Sequence, residues 1–504
     1  MIYIQQKVSN WFNICYKKHG LIKISFQILI SLCILLLCYG RMFIPHYSVD
    51  SYTVAQNPAS MYWSGCKAGR PLFIIWYKLC QVCNFNPVRK QWIGMLILLM
   101  SCALSHVTIY NAVCKHVYNT ISSKKACIVF CCLAVIFCNP FIAEWFLYVE
   151  ISGVYAVSLL FTAFGVMLIL RGGGYWDILL AGLCIIIAVM GYQVVVSIFL
   201  ILSVIFLLKK NEYFPTKKCF LKMACCAVLA AITCICAAVC AKWLPVAAGV
   251  PARLAEYSIL KNIYFVISIQ ERYWINALGL LPDGFVTGIL VLCICVILLP
   301  CLIKKEWQCI IWSIFVLAGC VVAIFLPYIG SGEHWVTARA SVQFFSFFAG
   351  LMTVAVLNEK KLVFHFVSIS GICFLAVLIY QSNLIAIEQL ETNYQDKAEC
   401  CEIVRAIETY EKVTGITVTK IVHCTDNFVT WYYPGIECHY AEFNMRAMAV
   451  DWGIQDLISF YTGKILVSVE TDEKPLAFFD KNWDVFDISQ QLYFEKDTVY
   501  LCIY

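Results

Sequence analysis

Apolar runs of about twenty residues, the length needed to cross roughly 30 Å of hydrocarbon, recur along the first 380 positions. They lie near 21–39, 92–112, 126–142, 153–170, 219–243, 284–303, 308–326, 340–357 and 362–380, and a longer run joins Asp177 to Leu208. Lys and Arg mark the cytoplasmic ends of such spans. Lys17, Lys18 and Lys23 put the start of the chain inside, and Lys115, Lys124, Lys125 and Arg171 mark the next inner loops. With Arg171 and the group Lys209, Lys210, Lys217 and Lys218 both inside, the 177–208 run must enter and return as two short helices bent at Met190-Gly191-Tyr192-Gln193. That predicts eleven crossings and puts Lys304, Lys305, Lys360 and Lys361 inside, which leaves the C-terminal part outside.

The pattern changes after Tyr380. Residues 395–412 alternate as an amphipathic helix, with Ala398, Cys401, Ile403, Val404, Ile407 and Tyr410 on one side. Gly415 breaks it, and 416–422, 464–470 and 498–504 read as strands. The expected organisation is a transmembrane domain over 1–380 and a small extracytoplasmic α/β domain over 381–504.

Composition excludes an ordinary soluble domain: of 504 residues, 62% are hydrophobic and 13% charged, against about 25% charged in soluble domains. The apolar start does not read as a cleaved signal peptide, since its span exceeds an h-region of about 7–15 residues and no small-residue cleavage site follows. The net charge of +6 is spread over inner loops and reads as membrane orientation, with no nucleic-acid surface. Most of the 30 cysteines fall inside spans, where a thiol behaves as a small hydrophobe. The expected outer domain holds five, Cys400, Cys401, Cys424, Cys438 and Cys502, an odd number that cannot pair completely within one chain. None has structural zinc spacing.

The candidate chemistry lies on the expected outer face. Asp50 follows a Pro45-broken helix end among His46, Tyr47 and Tyr52, where a carboxylate can take a proton from a substrate hydroxyl or can simply be a solvated loop acid. Glu144 and Glu150 sit in the aromatic segment 139–153; Glu150 also suits the positive end of the following helix. Arg70 and Arg339 stand at outer ends of apolar segments, where a guanidinium can meet a lipid phosphate with two parallel bonds or snorkel to the interface. His334 and Glu333 neighbour Arg339, and Arg253, Lys261 and Arg272 offer further cations in the long outer loop. Gln193, beside Tyr192, is a polar group in an apolar run, which is costly at membrane depth without a partner or a cavity. In the tail, Asp426, Trp431, Tyr432 and Tyr433 admit a sugar-stacking surface, with core and loop packing the plainer account.

The order of these features, an outer Asp50, Gly69-Arg70-Pro71, Asn139-Pro140-Phe141 with Glu144 and Glu150, Gly191-Tyr192-Gln193 and a late Arg339, resembles the bacterial serotype-converting glucosyltransferases, membrane enzymes of the GT-C type. The resemblance covers most of the chain. It implies a mainly α, polytopic GT-C-type bundle that takes a sugar from an undecaprenyl-phosphate carrier and attaches it to a surface glycan or polymer. Asp50 then matches the base and Glu150 the assisting acid, while Arg70, Glu144, Tyr192, Gln193, His334 and Arg339 form the expected substrate-binding set. Many members carry paired acids where this chain has Asp50-Ser51. A lipid phosphate carries little charge, so an arginine can replace a metal; neither a cofactor nor an obligatory metal is expected. The expected partners are the polyprenyl-phosphate-linked sugar, the glycan acceptor and membrane lipid. A lipid-linked glycan translocase, a polysaccharide polymerase and a noncatalytic surface-assembly protein share the same spans and remain alternatives, although no inverted repeat of the transporter kind is visible.

Overall fold

The structure, a computed structural model of the chain, describes residues 20–118, 121–253, 258–330, 334–356, 361–425, 429–469 and 486–503. Lys17, Lys18, Glu333, Lys360 and Asp426, used above, lie outside them. The fold is mainly helical. Its helices are α1 Gly20–Tyr39, α2 Val49–Gln56, α3 Ala59–Lys67, α4 Pro71–Val82, α5 Gln91–His116, α6 Ser123–Ala134, α7 Pro140–Leu147, α8 Ser152–Arg171, α9 Tyr175–Gly191 and α10 Val195–Lys210. They continue as α11 Lys217–Ala248, α12 Ile259–Ser268, α13 Gln270–Asn276, α14 Phe285–Ile303, α15 Trp307–Ile329, α16 Gln343–Val356, α17 Lys361–Thr414, α18 Ile454–Thr462 and α19 Ile488–Gln491.

By length and composition, 7 segments among the described residues can cross a membrane: Ile22–Phe43, Gln91–His116, Val149–Arg171, Lys217–Ala248, Phe285–Ile303, Trp307–Ile329 and Leu362–Thr414. Pro71–Val82, Tyr175–Gly191 and Gln343–Val356 are apolar but shorter.

Two boundaries differ from the sequence reading and one agrees with it, each for a local reason. The run expected over 126–142 ends as helix at Ala134 and restarts at Pro140. Asn139 divides it: its Oδ1 accepts from the amides of Phe141 and Ile142, while its Nδ2 donates to the carbonyls of Val135 and Ile136. One side chain thereby closes one helix end and opens the next. The 177–208 run is two helices, as expected, broken after Gly191, whose Cα packs so closely on α8 that a Cβ there would lie 2.4 Å from Ser158 Oγ. Finally, the expected span at 362–380 and the expected amphipathic helix at 395–412 are one continuous 54-residue helix, α17.

The C-terminal part carries a four-stranded sheet of order β2-β1-β4-β3, formed by β1 Lys420–Thr425, β2 Val467–Ser468, β3 Leu492–Glu495 and β4 Thr498–Ile503. β1 runs parallel to β2 and β4, and β3 is antiparallel to β4. β1 begins later than expected because the Val418 amide is taken by Glu411 and those of Thr419 and Lys420 by the Asp497 carbonyl.

The sheet and the polar half of α17 enclose a second apolar core, and Val49 and Tyr52 of α2 are part of it. Asn393 and Gln389 of α17 bind the backbone of Tyr47, and Tyr52 Oη meets Tyr461 Oη at 3.0 Å. The helix α2 is therefore clamped to the C-terminal part.

Candidate functional site

Asp50 lies in the first turn of α2, where a carboxylate favours the helix N-terminus, and its side chain is exposed. The position of α2 follows from the residues around it. Pro45 ends the preceding turn, buried His46 sets Nε2 3.0 Å from the Phe146 carbonyl, and the Ser48 amide donates to Ser51 Oγ. Ser51 Oγ in turn donates to Glu150 Oε2 at 3.0 Å. Ser51 thus brings an acid from α8's entry to the start of α2. Trp76 Nε1 donates to the Glu150 carbonyl at 2.7 Å and fixes that turn from the side.

Glu144 stands on the second turn of α7, aimed by the Asn139-Pro140 restart, and is buried. Its two oxygens accept from the backbone amide and from Nη1 of Arg339. Trp145 Nε1 donates to the Arg339 carbonyl at 3.0 Å, so α7 holds both sides of this residue's backbone. The other edge of the guanidinium is also occupied. Glu442 takes Nη1 at 2.6 Å and Nη2 at 2.9 Å, while Tyr148 lies under the guanidinium and its Oη accepts from Nη1 at 3.2 Å. Against the cost of burial, the charge of Glu144 leads the groups that hold the Arg339 guanidinium above its ordinary range. Glu442 is pushed well above the usual carboxylate range by burial, then by the charges of Glu144 and Asp50.

Sequence reasoning missed Glu442, because it is one acid in a polar segment. The chain nevertheless goes to some length to present it. Glu388 of α17 accepts from the amides of Glu437 and Cys438 and from Asn444 Nδ2, and Tyr433 donates to Asp396 at 3.0 Å. Ala441 and Asn444, on either side of Glu442, adopt φ of +52° and +54°, a conformation that costs a residue with a Cβ about 1 kcal/mol or more. Tyr432 Oη ties the Ala441 carbonyl down at 2.8 Å. Tyr432 and Tyr433 are packing residues of this turn, and only Trp431 of the three aromatics is exposed.

Arg70 caps α4 just after Gly69, whose φ of +66° and whose contact with α11, where a Cβ would meet the Ala241 backbone at 2.2 Å, both require glycine. Arg70 Nε donates to Gln193 Oε1 at 3.2 Å and its guanidinium stacks on Tyr192, 4.7 Å from the ring centre. No carboxylate meets it among the described residues. Burial, with the charges of Arg253 and Arg339 acting in the same direction, lowers its affinity for its proton. Tyr192 continues through Tyr155 to Trp145, at ring separations of 5.2 and 4.4 Å, and so links the surroundings of the two arginines.

The expected residues therefore fall into connected groups: Asp50 with Glu150 through Ser51, Glu144 with Arg339, and Arg70 with Tyr192 and Gln193. The charge of Asp50 acts on Glu150, Arg339 and Glu442, which places these groups within electrostatic reach of one another. His334 is apart: exposed, against Phe265, with Nε2 2.8 Å from Asn262 Oδ1. The described cavity of about 490 Å³ lies at the far end of α2 from Asp50, beside α3.

A family model described as Glucosyl transferase GtrII matches residues 39–358. The match spans more than half of the chain, and the chain belongs to that family. It takes in Asp50, Arg70, Glu144, Glu150, Gln193 and Arg339, and it ends before the polar half of α17 and the sheet. No curated protein and no solved structure matches the chain.

Proposed function

We propose that the chain is a multi-pass membrane glycosyltransferase that moves a sugar, glucose by its family, from a polyprenyl-phosphate carrier to a hydroxyl of a surface glycan or polymer. The observation that carries this reading is the gathering of Asp50, Glu150 and the two arginines, from segments far apart in sequence, into one neighbourhood.

Each group then has a role fitted to its surroundings. Asp50, exposed at the start of α2, takes the proton of the acceptor hydroxyl as that oxygen bonds to the anomeric carbon. The bond from that carbon to the phosphate oxygen breaks, and its electron pair leaves with polyprenyl phosphate. A cation must meet this charge. Arg70 is the better placed of the two arginines, because its Nη1 and Nη2 donate to no protein group among the described residues, whereas the fork of Arg339 is filled by Glu144 and Glu442. Gln193 and Tyr192 hold Arg70 in its orientation. Glu150 steadies α2 through Ser51, and Arg339 joins the bundle to the C-terminal part.

The same reading includes eleven crossings of a GT-C-type bundle in the cytoplasmic membrane, the start of the chain inside and the sheet outside. Its division into 1–380 and 381–504 falls inside α17, so the outer domain rides on the continuation of the last crossing.

The test is turnover of polyprenyl-phosphate glucose by the purified chain in lipid, with an extract of surface polymer as acceptor. Release of polyprenyl phosphate is expected, and Asp50→Asn is expected to reduce it by about 10²–10⁴-fold, the worth of a general base, with the folded protein unchanged. Equal turnover by the variant removes Asp50 from the mechanism, and no turnover by the natural chain removes the reading.

A further inference from the structure

The C-terminal part reaches Asp50 as well as Arg339. Val450 and Ile454 belong to the second apolar core together with Val49, and they anchor both ends of the turn between them. Gly453 of that turn packs on the start of α2. A Cβ there would lie 3.5 Å from Val49 Cγ1 and 3.9 Å from the Val49 carbonyl oxygen, on the peptide that leads into Asp50. Trp452 is one peptide away, so its Cα and that of Asp50 are at most about 12 Å apart by standard chain dimensions. A short run of sugar rings bridges that distance.

Asp451 and Trp452 are the exposed residues of this turn, and Trp452 is 61% exposed. A lone exposed aromatic needs no explanation, but this one is held by buried neighbours on both sides and stands beside the candidate base. Asp451 Oδ1 accepts from the Trp452 amide at 2.8 Å, and its Oδ2 accepts from no protein donor among the described residues. An indole next to an open carboxylate oxygen suits a pyranose, whose C–H face stacks and whose hydroxyls donate. The other common use of an exposed tryptophan in a membrane protein is the lipid interface. The surroundings disfavour it here, because α18, which follows the turn, is tied through Tyr461 Oη to the Asn393 carbonyl in the polar half of α17. Asp50 lies inside the segment that the family model matches and Trp452 outside it, as befits a residue that selects which glycan reaches a shared chemistry.

We propose that Trp452 is the acceptor platform: it stacks a hexopyranose unit of the surface glycan that flanks the unit whose hydroxyl faces Asp50, and so sets which glycan is used. The proposal rests on the transferase reading for the reaction at Asp50, but the platform itself is read by binding with no donor present. An extract of surface polymer is passed over the full chain in neutral-lipid nanodiscs, and the same extract is then varied in the turnover assay at saturating polyprenyl-phosphate glucose. Trp452→Ala is expected to weaken retention of the polymer about tenfold and to raise the acceptor KM by the same factor. Its kcat, its donor KM and its melting temperature are expected to match those of the natural chain. Trp452→Phe, which keeps a flat ring, should recover most of the loss, and Trp452→Leu, which keeps apolar area without one, should behave as Trp452→Ala. Unchanged retention and acceptor KM in Trp452→Ala, or a fall in kcat alone, overturns the proposal. Full function in Trp452→Leu assigns the side chain to an apolar or lipid contact and overturns it as well, as does a natural chain that retains no polymer. Should retention behave as expected while the natural chain transfers nothing, the transferase reading fails and the glycan platform stands.

Discussion

Arg339 and Arg70 belong to one neighbourhood but have opposite surroundings. Arg339 meets two carboxylates, a tyrosine hydroxyl and a tyrosine face, with its own backbone held at both ends by α7. Arg70 meets a glutamine oxygen and a tyrosine face, with other cations as its charged neighbours. A buried charge whose partners are all protein groups has its energy settled by the fold, whereas a charge with donors left over and repulsion around it is suited to an anion that arrives later. One residue type in the same kind of sequence context thus stands in two surroundings, a closed set of protein partners at Arg339 and open donors at Arg70, which the proposed function uses as a binding group.

Replacement of Arg339 tests the joint and has the largest effect. Arg339→Gln leaves Glu144, whose side chain is 1% exposed, and Glu442 facing each other without a cation. Loss of one partner from a buried pair costs about 3–5 kcal/mol, so the variant is expected to unfold at distinctly lower temperature or denaturant in lipid. Unchanged stability would mean that the closed set of contacts around Arg339 contributes nothing, and the distinction between the two arginines would collapse.

Arg70→Gln is expected to show the opposite profile. Its removal relieves repulsion from Arg253 and Arg339, so the unfolding midpoint should stay close to that of the natural chain. Donor turnover should fall about 10–100-fold, the worth of a charged hydrogen bond of about 1.5–3 kcal/mol. A kinetic assay at varied donor concentration, run beside a melt, reads both. Stability lost together with activity would place Arg70 with Arg339 as a second joint.

The contrast between the arginines also marks what the sequence could convey. Gln193 is a polar residue in an apolar run, and the cost of such a group makes it visible, while Asp50, Arg70 and Arg339 are visible from their places at the ends of apolar segments. Glu442 has no such contrast, with Glu437, Asp451 and other polar residues around it, and nothing in the identity of Ala441 announces a left-handed turn. Its signal exists only once the chain is folded and Arg339 is opposite. The boundary at 380 illustrates a different limit. Apolar residues on every face give way there to an amphipathic pattern, which reads as a change of domain, yet the backbone hydrogen bonds of α17 are indifferent to which face is apolar and the helix continues. β2 falls inside the run 464–470 that reads as a strand, whereas the four-residue strand β3 is too short for alternation to separate it from loop and forms because β4 offers an edge.

The smallest effect concerns protons on the joint. Three carboxylates, Glu144, Glu442 and Asp50, share the neighbourhood of Arg339, and Glu442 is the one whose carboxyl burial and those two charges raise well above its ordinary range. At a pH below the ordinary carboxylate range, Glu442 is protonated in both the folded and the unfolded chain and adds no pH dependence. As pH rises through that range, the unfolded chain releases the proton while the folded one keeps it, so stability falls until the folded group also ionises. The natural chain should therefore melt at lower temperature on the alkaline side of neutrality than at mildly acidic pH. Glu442→Gln, which keeps an oxygen for Arg339 Nη2 and removes the proton equilibrium, should make that slope shallower, the remainder coming from other carboxyls that burial raises, such as Glu144. A slope unchanged in the variant would move the titration to another group and leave Glu442 as a permanently charged partner of Arg339, which would make the joint more completely closed than the competition among its carboxylates implies.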